Sequence, residues 1–420
     1  MRIAFVSPLP PAPTGIADYA ADVLALLTGR HEIDVFHAQD ALERDRLPAG
    51  CGVFEAGTLP SRHAERPYDA IAYQMGNGMA HAFQYPLIEA LPGLLVLHDL
   101  ALHHSRARSF LDSAEARAYA ADPSSASLRA AARVPLGRYE AELRHAYPAQ
   151  AERLLEAQLA TVGPLLPYAY PLFRRPVEAS RGIAVHNEFM AAAVREEVPE
   201  RSVVRIPMPM SRVPVSADSV QALRDRYGVQ PGDFVVGSFG LMTPEKQIGT
   251  LALAVGRAAT HLQRLRLLLV GPVPDRPALD RVLERAGVAA RSLVTGRVPL
   301  AELPVHLELC DLAVHLRYPT ARETSAALLR LLAQGRATVM SDLEHTADVP
   351  EDAVVRADVR DEEGAVMRAI LRLAPRPAER GRLGEGAAAF VAREHAADRV
   401  RAAYEDALER TRGEADRPRL

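Results

Sequence analysis

The chain opens with MRIAFVSPLPPAPTGIADYAADVLALL (residues 1–27), a sequence that indicates a strand, a loop and a helix. The apolar run is short and ends in prolines, as in a first β-strand and unlike a secretory signal peptide. Thr14 is placed to cap the helix, and Gly15 allows a ligand to approach the backbone closely. An ordinary turn between a strand and a helix has the same residues, so this loop alone does not establish a binding site.

The same alternation of short apolar segments and helical patterns continues along the chain. In the first half it predicts strands at Arg2–Ser7, Ile33–His37, Ala70–Gln74, Leu94–His98 and Gly182–His186, with helices at Ile16–Leu27 and Met79–Leu91. In the second half it predicts strands at Phe234–Phe239, Leu265–Val270, Ser292–Thr295, Leu312–Leu316, Ala337–Ser341 and Ala353–Arg356. Helices are predicted between them at about Gly249–His261, Arg276–Ala286, Ala301–Leu309 and Thr324–Gln334. Repeated strand–helix units are typical of parallel sheets with right-handed crossovers.

The length of 420 residues predicts two domains, because one ordinary core does not extend so far. The first domain is expected at 1–205, with a helical insertion at about 101–179 that includes Tyr139–His145 and Ala149–Leu159. The proline-rich stretch Ile206–Pro214 predicts a linker over 206–216, followed by a second domain at 217–386. The remainder, 387–420, is expected to be one amphipathic helix, Ala387–Arg412, packing back on the first domain, and a frayed tail, Gly413–Leu420.

This pattern predicts an α/β protein with two doubly wound Rossmann-like domains facing each other across a cleft. Ligands of such sheets bind at the carboxyl ends of the strands. The candidate functional residues therefore have to follow strands directly, and the polar segments of this sequence do so.

Composition excludes several classes of protein. A net charge of −3 gives no global electrostatic reason to expect nucleic-acid binding. The two cysteines, Cys51 and Cys310, lie in different halves and indicate a reducing compartment without a disulfide framework. No apolar run is long enough for a membrane span. We therefore expect a cytoplasmic protein, with peripheral membrane contact compatible with the sequence.

Lys246 is the only lysine, since 49 of the 50 basic residues are arginine. It follows a predicted strand in Gly237-Ser-Phe-Gly-Leu-Met-Thr-Pro-Glu-Lys246, just before a predicted helix. A compact ammonium beside a helix N-terminus holds phosphate well, and the broad guanidinium of arginine does not replace it there. The alternative interpretation is a lysine retained by chance on a solvated helix end. The loop is not a P-loop, because Gly-x4-Gly-Lys-[Ser/Thr] is absent.

A second group of polar residues follows the strand at Leu94–His98. His98 and Asp99 are candidates to orient a sugar hydroxyl or contact a leaving group. Together with His103 and His104 they also allow a metal site, although adjacent histidines diverge on a helix. A purely structural role for His98 is the third interpretation.

The loop Leu316-Arg317-Tyr-Pro-Thr-Ala-Arg-Glu323-Thr324-Ser325 joins a strand to a predicted helix. Free amides at that helix N-terminus are suited to a diphosphate, and Glu323 to sugar hydroxyls. The plainer alternative is a carboxylate that favours the helix dipole. Asp-x-Asp is absent, so a divalent metal bridging the diphosphate in that style is not supported, and lysine, arginine and helix amides would neutralise the leaving group.

Taken in order, these motifs resemble glycosyltransferase family 4, retaining enzymes of GT-B fold, over nearly the whole chain. The opening Met1–Tyr19 resembles the first strand and glycine loop of that family. Gly76-Asn77-Gly78 with Pro92–Asp99 resembles a subgroup pattern, and Gly182–Asn187 resembles the last strand of the N-terminal domain. Lys246 matches the lysine that binds the donor diphosphate, and the loop at Glu323 resembles the acidic donor motif.

The resemblance implies a nucleotide-sugar donor, UDP- or GDP-linked, held mainly by the second domain, and an acceptor that enters from the first. The acceptor would be a saccharide, a lipid-linked compound or a natural product. The catalytic residues implied are His98, Asp99, Lys246 and Glu323. The donor contacts implied are Gly15, Gly240, Lys246, Arg297, Arg317, Glu323, Thr324, Ser325 and Arg330, and the acceptor contacts are Gly15, Asn77, His98 and His186. No metal and no cofactor are implied.

Two positions depart from the family pattern. Leu241 occupies the usual place of an arginine, for which Arg297 or Arg317 could substitute. Arg330 stands where a second glutamate usually holds the donor ribose. These departures leave open two other functions, a GT-B nucleotide-sugar epimerase and a non-catalytic nucleotide-sugar-binding subunit. A nicotinamide dehydrogenase is disfavoured, because Gly-x-Gly-x-x-Gly is absent.

Overall fold

The structure, a computed structural model, describes residues 1–160 and 165–413. The chain forms two compact units. The first contains Met1–Pro209, Ala321–Thr324 and Asp398–Leu420, and the second contains Met210–Thr320 and Ser325–Ala397. The passage from one to the other at Pro209 lies within the stretch 206–216, which has neither helix nor strand.

The first unit alternates strands and helices and carries an all-helical segment between its fifth and sixth strands. Its elements are β1 (Arg2–Val6), α1 (Gly15–Leu27), β2 (Glu32–His37), β3 (Gly52–Glu55), α2 (Leu59–Glu65), β4 (Ala70–Met75), α3 (Gln84–Ala90), β5 (Leu94–Leu97), α4 (His103–Leu111), α5 (Ala114–Ala121), α6 (Ala126–Ala131), α7 (Arg133–Ala146), α8 (Ala151–Leu159), α9 (Leu166–Ala169), α10 (Arg174–Ala179), β6 (Gly182–Val185), α11 (Glu188–Glu197) and β7 (Val203–Arg205).

The second unit continues the alternation without an insertion. Its elements are α12 (Ala217–Arg226), β8 (Phe234–Phe239), α13 (Ile248–Ala259), β9 (Leu265–Val270), α14 (Arg276–Arg285), β10 (Ser292–Gly296), α15 (Leu303–Leu309), β11 (Leu312–His315), α16 (Ala326–Ala333), β12 (Thr338–Asp342), β13 (Val355–Asp358), α17 (Glu362–Leu373) and α18 (Pro377–Glu394). The last helix, α19 (Ala397–Gly413), belongs to the first unit from Asp398 onward.

Each unit is built on one parallel sheet. The first sheet has the order β3-β2-β1-β4-β5-β6-β7, and the second has the order β10-β9-β8-β11-β12-β13. The chain reverses its direction across the first sheet between β1 and β4 and across the second between β8 and β11. Loops that leave neighbouring strands at such a point diverge to opposite faces and leave room for a ligand. The predicted α/β class with two Rossmann-like domains is confirmed.

Burial on both faces explains why the central strands are mainly apolar on both faces. All six residues of β4 and all four of β5 are buried. In the second unit, Val236 and Leu267 belong to one core cluster and Val235 and Leu268 to another, because neighbouring strand residues point to opposite faces.

Several predicted elements need correction. The expected single helix Ala387–Arg412 is in fact two helices, α18 and α19, which are separated at His395. There the backbone leaves helical geometry, and the buried His395 packs its ring against Phe390. The predicted tail Gly413–Leu420 lies outside the described side chains. The stretch Met79–Leu91 contains only the shorter helix α3 after a single 3₁₀ turn.

Among the described residues, no helix is long and apolar enough to cross a membrane. Cys51 and Cys310 are both free thiols, as expected.

Candidate functional site

Three glycines end adjacent strands of the second sheet and bring the backbone unusually close together. Gly240 donates its N–H to the carbonyl of Val270, and Gly271 donates to the carbonyl of Gly296, each at 2.9 Å. All three have positive φ, at 117° for Gly240, 142° for Gly271 and 69° for Gly296. A Cβ on Gly271 would lie 1.9 Å from the carbonyl oxygen of Gly240. At these three positions the edge of the sheet thus presents backbone without side chains.

Lys246 ends a 3₁₀ turn, Pro244–Lys246, between β8 and α13. Its side chain is folded back onto the glycine edge, because a Cβ on Gly240 would lie 3.4 Å from its Nζ. Lys246 is only 7 % exposed. The interpretation of Lys246 as a solvated surface cation is therefore wrong. Nearby negative charge stabilises a buried ammonium, and a phosphate group bound at this place would supply such a charge.

Hydrogen bonds fix the loop after β11 to the Lys246 turn. Tyr318 donates its N–H to the carbonyl of Glu245 at 2.9 Å, and the Gln247 side chain donates to the carbonyl of Tyr318 at 2.6 Å. One residue earlier, Arg317 donates its N–H to Ser341 Oγ at 2.9 Å. The loops that follow β8 and β11 are thus held together at the switch point of the sheet.

Positive charge is concentrated at this point. His315, at the end of β11, is buried, and burial lowers its pKa well below the usual value, assisted by the nearby charges of Lys246, Arg317 and His345. His315 is therefore neutral at neutral pH and does not add to the local charge. Lys246 and Arg317 supply the cations.

The loop that follows β11 ends at the first turn of α16. The helix begins at Ala326, two residues after the predicted start, with Ser325 as N-cap accepting from the amide of Leu328 at 3.4 Å. Ser325 has extended geometry, which a capping residue requires. The first amides of an α-helix lack partners within the helix and favour an anion.

Three further positions named from the sequence are located as follows. Arg297 directly follows β10 and is exposed, whereas Arg330 lies within α16 and is half-buried. Leu241 is 47 % exposed immediately after Gly240. A solvent-exposed apolar side chain thus occupies the position where the family resemblance predicts an arginine.

In the first unit, Asn77 connects the loops after β4 and β5. Its backbone N–H donates to Asp99 Oδ2 at 2.7 Å, and its side-chain nitrogen lies 2.9 Å from Nδ1 of His104. Gly76 has no room for a side chain, because a Cβ there would lie 2.3 Å from Cδ1 of Ile16 in α1. Gly15 begins α1, and Thr14 caps it as predicted by accepting from Ile16 N at 3.3 Å.

The ring nitrogens of His98 are both used inside the protein. Nε2 lies 3.1 Å from the side-chain amide of Gln74, and Nδ1 lies 3.0 Å from Nε2 of His186. Burial lowers the pKa of His98 well below its usual value, and the neighbouring His186 and His81 lower it further. This geometry favours the structural interpretation of His98 and His186 over direct contact with a substrate.

Glu323 and Thr324 belong to the segment Ala321–Thr324, which the first unit holds. The side-chain nitrogen of Asn187 donates to the carbonyl of Arg322 and to Thr324 Oγ1, both at 3.1 Å. These bonds hold the backbone carbonyl before Glu323 and the side chain of the residue after it. A common site of Glu323 and Lys246 stays a prediction.

No group of three or more His, Cys, Asp and Glu side chains within residues 1–160 and 165–413 could hold a metal ion. His103 instead packs inside the insertion, where its ring bonds the hydroxyl of Tyr139 and the carbonyl of Tyr170. His103 and His104 thus bond different partners and do not converge with His98 and Asp99 on a metal.

Comparison with known proteins finds a family match within the second half of the chain. Residues 233–375, which include the glycine edge, Lys246 and α16, match the family model for glycosyl transferases group 1. Over this part, the chain is similar to the glycosyl transferases group 1. A curated relative, alpha-monoglucosyldiacylglycerol synthase from Acholeplasma laidlawii, is 26% identical over 103 residues, which are 24% of this chain and 26% of that protein. The match therefore spans about a quarter of the relative's length.

Solved structures resemble the whole chain. Sucrose-phosphate synthase from Thermosynechococcus elongatus has a TM-score of 0.68 at 17% identity, covering 99% of this chain and 100% of that one. HepE from Anabaena, solved with UDP and glucose, has a TM-score of 0.65 at 16% identity, covering 97% and 99%. These likenesses confirm the GT-B fold class expected from the sequence.

Sequence reasoning missed several residues that organise these sites. In the second unit these are His315, Ser341 and Glu362, where the Ser341 hydroxyl donates to the Glu362 carboxylate. In the first unit they are Gln74, Tyr19 and Tyr404. A signal was available for Gln74, which is a polar residue in a strand that is otherwise apolar. Tyr404 gave none, because its contact with Gln74 joins residues 330 positions apart.

Proposed function

We propose that the protein is a retaining glycosyltransferase that moves a sugar from a nucleoside-diphosphate sugar to a saccharide, a lipid-linked compound or a natural product, without a metal ion. The observation that carries the proposal is the buried Lys246 at the switch point of the second sheet. Its ammonium lies beside Gly240, and the loop after β11, which contains Arg317 and leads to α16, is hydrogen-bonded to the Lys246 turn.

This arrangement supports binding of a diphosphate at the carboxyl edge of the second sheet. The glycine edge lets phosphate oxygens approach the backbone, and α16 offers its first amides. Lys246 then neutralises the negative charge that develops on the diphosphate as the bond to the sugar breaks. The departing phosphate removes the acceptor proton on the same face of the sugar, and the protein contributes by holding the two substrates in position.

The acceptor is assigned to the first unit, near Gly15, Asn77 and Asp99. In this proposal Glu323 binds hydroxyls of the donor sugar, and the bonds from Asn187 to its neighbours support a fixed backbone there. The internal bonds of His98 give it a role in holding Asp99 and the strand end rather than in touching substrate.

Hexose donors linked to UDP are the first to be tested. The structures of HepE with UDP and glucose and with UDP-glucose support this choice, as does the name of the Acholeplasma relative. A thermal-shift panel of UDP-, GDP- and ADP-sugars identifies the nucleotide, because a ligand raises the melting temperature according to its affinity.

Replacement of Lys246 tests the proposal. We expect Lys246→Ala to lower kcat/KM for release of free nucleotide by about 100-fold or more, with the melting temperature retained. Lys246→Arg is also expected to be impaired, because a guanidinium is broader than the space beside Gly240. The matched control is Arg360→Ala, which removes a cation fully outside the site, where Arg360 bonds Asp358 at the surface. Normal turnover by either Lys246 variant would reject the assigned role.

One observation favours a second function, a non-catalytic nucleotide-sugar-binding subunit. Leu241 is exposed beside Gly240, where a cation would strengthen the leaving-group site. Such a subunit would show a donor-dependent rise in melting temperature but neither transfer nor slow hydrolysis of the donor. An epimerase would convert the donor without releasing nucleotide. Product analysis with one donor therefore separates the three functions.

A further inference from the structure

Gln74 is a buried polar side chain at the centre of a hydrogen-bond network in the first unit. Its amide lies 3.1 Å from Nε2 of His98 and 3.1 Å from the hydroxyl of Tyr404 on α19. That hydroxyl lies 2.9 Å from the hydroxyl of Tyr19 on α1. The other nitrogen of His98 lies 3.0 Å from His186. All five residues are at most 5 % exposed, and we call them the Gln74 network.

One end of the network fixes the positions of the hydrogens. Nδ1 of His186 lies 2.7 Å from the carbonyl oxygen of Ile206, which only accepts, so this nitrogen carries a hydrogen. If His186 is neutral, its Nε2 is bare and accepts from Nδ1–H of His98. A neutral His98 then has a bare Nε2, which needs a donor. The amide nitrogen of Gln74 is the group that can supply it.

One additional proton reverses this requirement. When the two histidines share an extra proton, Nε2 of His98 carries a hydrogen and needs an acceptor, which is the amide oxygen of Gln74. In the structure the oxygen faces His98, and the amide nitrogen of Gln74 is buried without a hydrogen-bond partner among the described residues. A half-turn of the amide exchanges the two arrangements, and the hydroxyl of Tyr404 changes from donor to acceptor with it.

We propose that Gln74 is a positioning residue whose amide turns when the His98–His186 pair gains or loses one proton, which gives the network two hydrogen-bonded states. With the neutral pair, the amide nitrogen faces His98. With the protonated pair, the amide oxygen faces it. Asn77 and Asp99 follow Gln74 and His98 closely in sequence, so the effect on catalysis rests on the proposed function, whereas the two states do not.

The surroundings favour the neutral pair at neutral pH. Burial of His98 opposes charge, and His186 and His81 oppose it further. The other titratable groups facing the network are the hydroxyls of Tyr19 and Tyr404, both with pKa raised by burial and therefore neutral, and Asp22 beside Tyr19. The extra proton would come from solvent on acidification.

Nitrogen NMR of the wild-type protein tests the proposal directly. In protein labelled with ¹⁵N-histidine, His98 and His186 are expected at neutral pH as neutral rings with the hydrogen on Nδ1 and a bare Nε2. Their signals are assigned by their loss in His98→Asn and His186→Asn. A neutral His98 with its hydrogen on Nε2 would overturn the proposal. Because this measurement needs no substrate, it stands whether or not the protein transfers sugar.

Two substitutions of Gln74 test the coupling. In Gln74→Glu the carboxylate faces His98 as an acceptor in every orientation, so the pH at which the pair takes up its proton is expected to rise by about 1–3 units. Gln74→Leu provides neither donor nor acceptor and lacks the upward shift. Circular dichroism checks that both variants fold. If neither variant changes the tautomer or the titration of His98, Gln74 does not govern the pair and the proposal fails.

The pH dependence of kcat provides a second test of the coupling. If the proposed function holds, the acid limb of the kcat profile in Gln74→Glu moves in parallel with the NMR titration, while KM for the donor stays within about twofold, because the donor is assigned to the second unit. An NMR shift without any transfer activity in the wild type would reject the proposed function and leave the two-state network intact. If the NMR titration shifts and the pH profile of kcat does not, the positioning role is rejected.

Discussion

At Gly271 the second sheet has no room for even one methyl group. Its φ of 142° is unfavourable for any residue with a side chain, and a Cβ would lie 1.9 Å from the carbonyl oxygen of Gly240. The bond from its amide to Gly296 depends on that close approach. The fold therefore requires glycine at position 271, whether or not a ligand is bound.

We therefore expect Gly271→Ala to lower the free energy of unfolding by about 3 kcal/mol or more, since strain and a backbone clash add together. The control is Gly287→Ala, in which φ is 69° and nothing lies within 4 Å of the new Cβ. That variant is expected to lose only about 1 kcal/mol, the cost of the left-handed conformation. Urea unfolding of both variants measures the difference. Equal losses would show that the approach to Gly240 can relax.

The sequence predicted residue positions well where local order decides them. The strand pattern predicted that the only lysine follows a strand, and the strand order of the sheet then shows that this strand borders the switch point. Its burial could not be predicted, because it depends on the fold-back of the turn onto Gly240. His98 is a similar case, since its place at a strand end was predicted, whereas its bonds to Gln74 and His186 link the ends of three strands and could not be predicted.

At the scale of elements, a buried ion pair connects two helices of the insertion. Arg106 of α4 bonds Glu142 of α7, and both side chains are nearly fully buried, at 6% and 7% exposure. Arg175 Nε lies 2.7 Å from the same carboxylate oxygen. The ring of Tyr85 lies 4.2 Å from the Arg106 guanidinium. Removal of the carboxylate charge would leave the buried Arg106 without its anion, beside the partly exposed Arg175.

Glu142→Gln is accordingly expected to lower the free energy of unfolding by about 3–5 kcal/mol, because an uncompensated buried charge remains. The matched control is Glu140→Gln on the same helix, which removes a surface pair with Arg144. This control is expected to leave the urea midpoint unchanged. A similar small effect of both substitutions would mean that water or a rearrangement compensates the charge of the buried Arg106.

Helices and strands with a long, regular sequence pattern were predicted more accurately than short ones. Strand β8 matches its predicted bounds, and β9 does too, because each is a six-residue segment that is mainly apolar. The edge strands β3 and β7 were missed, since they are only four and three residues long and half-buried. The break between α18 and α19 was missed because no proline or glycine marks it, and the reason lies in the tertiary packing of His395.

At the scale of the whole molecule, buried neutral histidines predict sensitivity to acid. Burial lowers the pKa of both His81 and His103 to about 4, well below the usual 6.5. As the pH falls below 6.5, the unfolded chain takes up protons that the folded protein cannot accept until about pH 4. Stability is therefore fully present above pH 6.5 and is lost progressively towards pH 4.

Between about pH 7.5 and 5, each of these two histidines is expected to remove about 2 kcal/mol of unfolding free energy. In His103→Gln the dependence on pH should be shallower by about that amount, as measured by urea unfolding at the two pH values. His261→Gln, at an exposed position, should keep the wild-type slope. An unchanged slope in His103→Gln would show that His103 accepts a proton in the folded state.

The helix α19 completes the first unit but is translated after the whole second unit. Tyr404, Val400 and Leu408 fill the core of a unit whose main stretch ends at Pro209, yet α19 begins only at Ala397. At a translation rate of about 5–20 residues per second, the ribosome needs roughly 10–40 s to make the residues between them. During that interval Tyr19 and Gln74 lack their partner, and the second unit is completed first. The nascent first unit is thus exposed to chaperones until the last helix emerges.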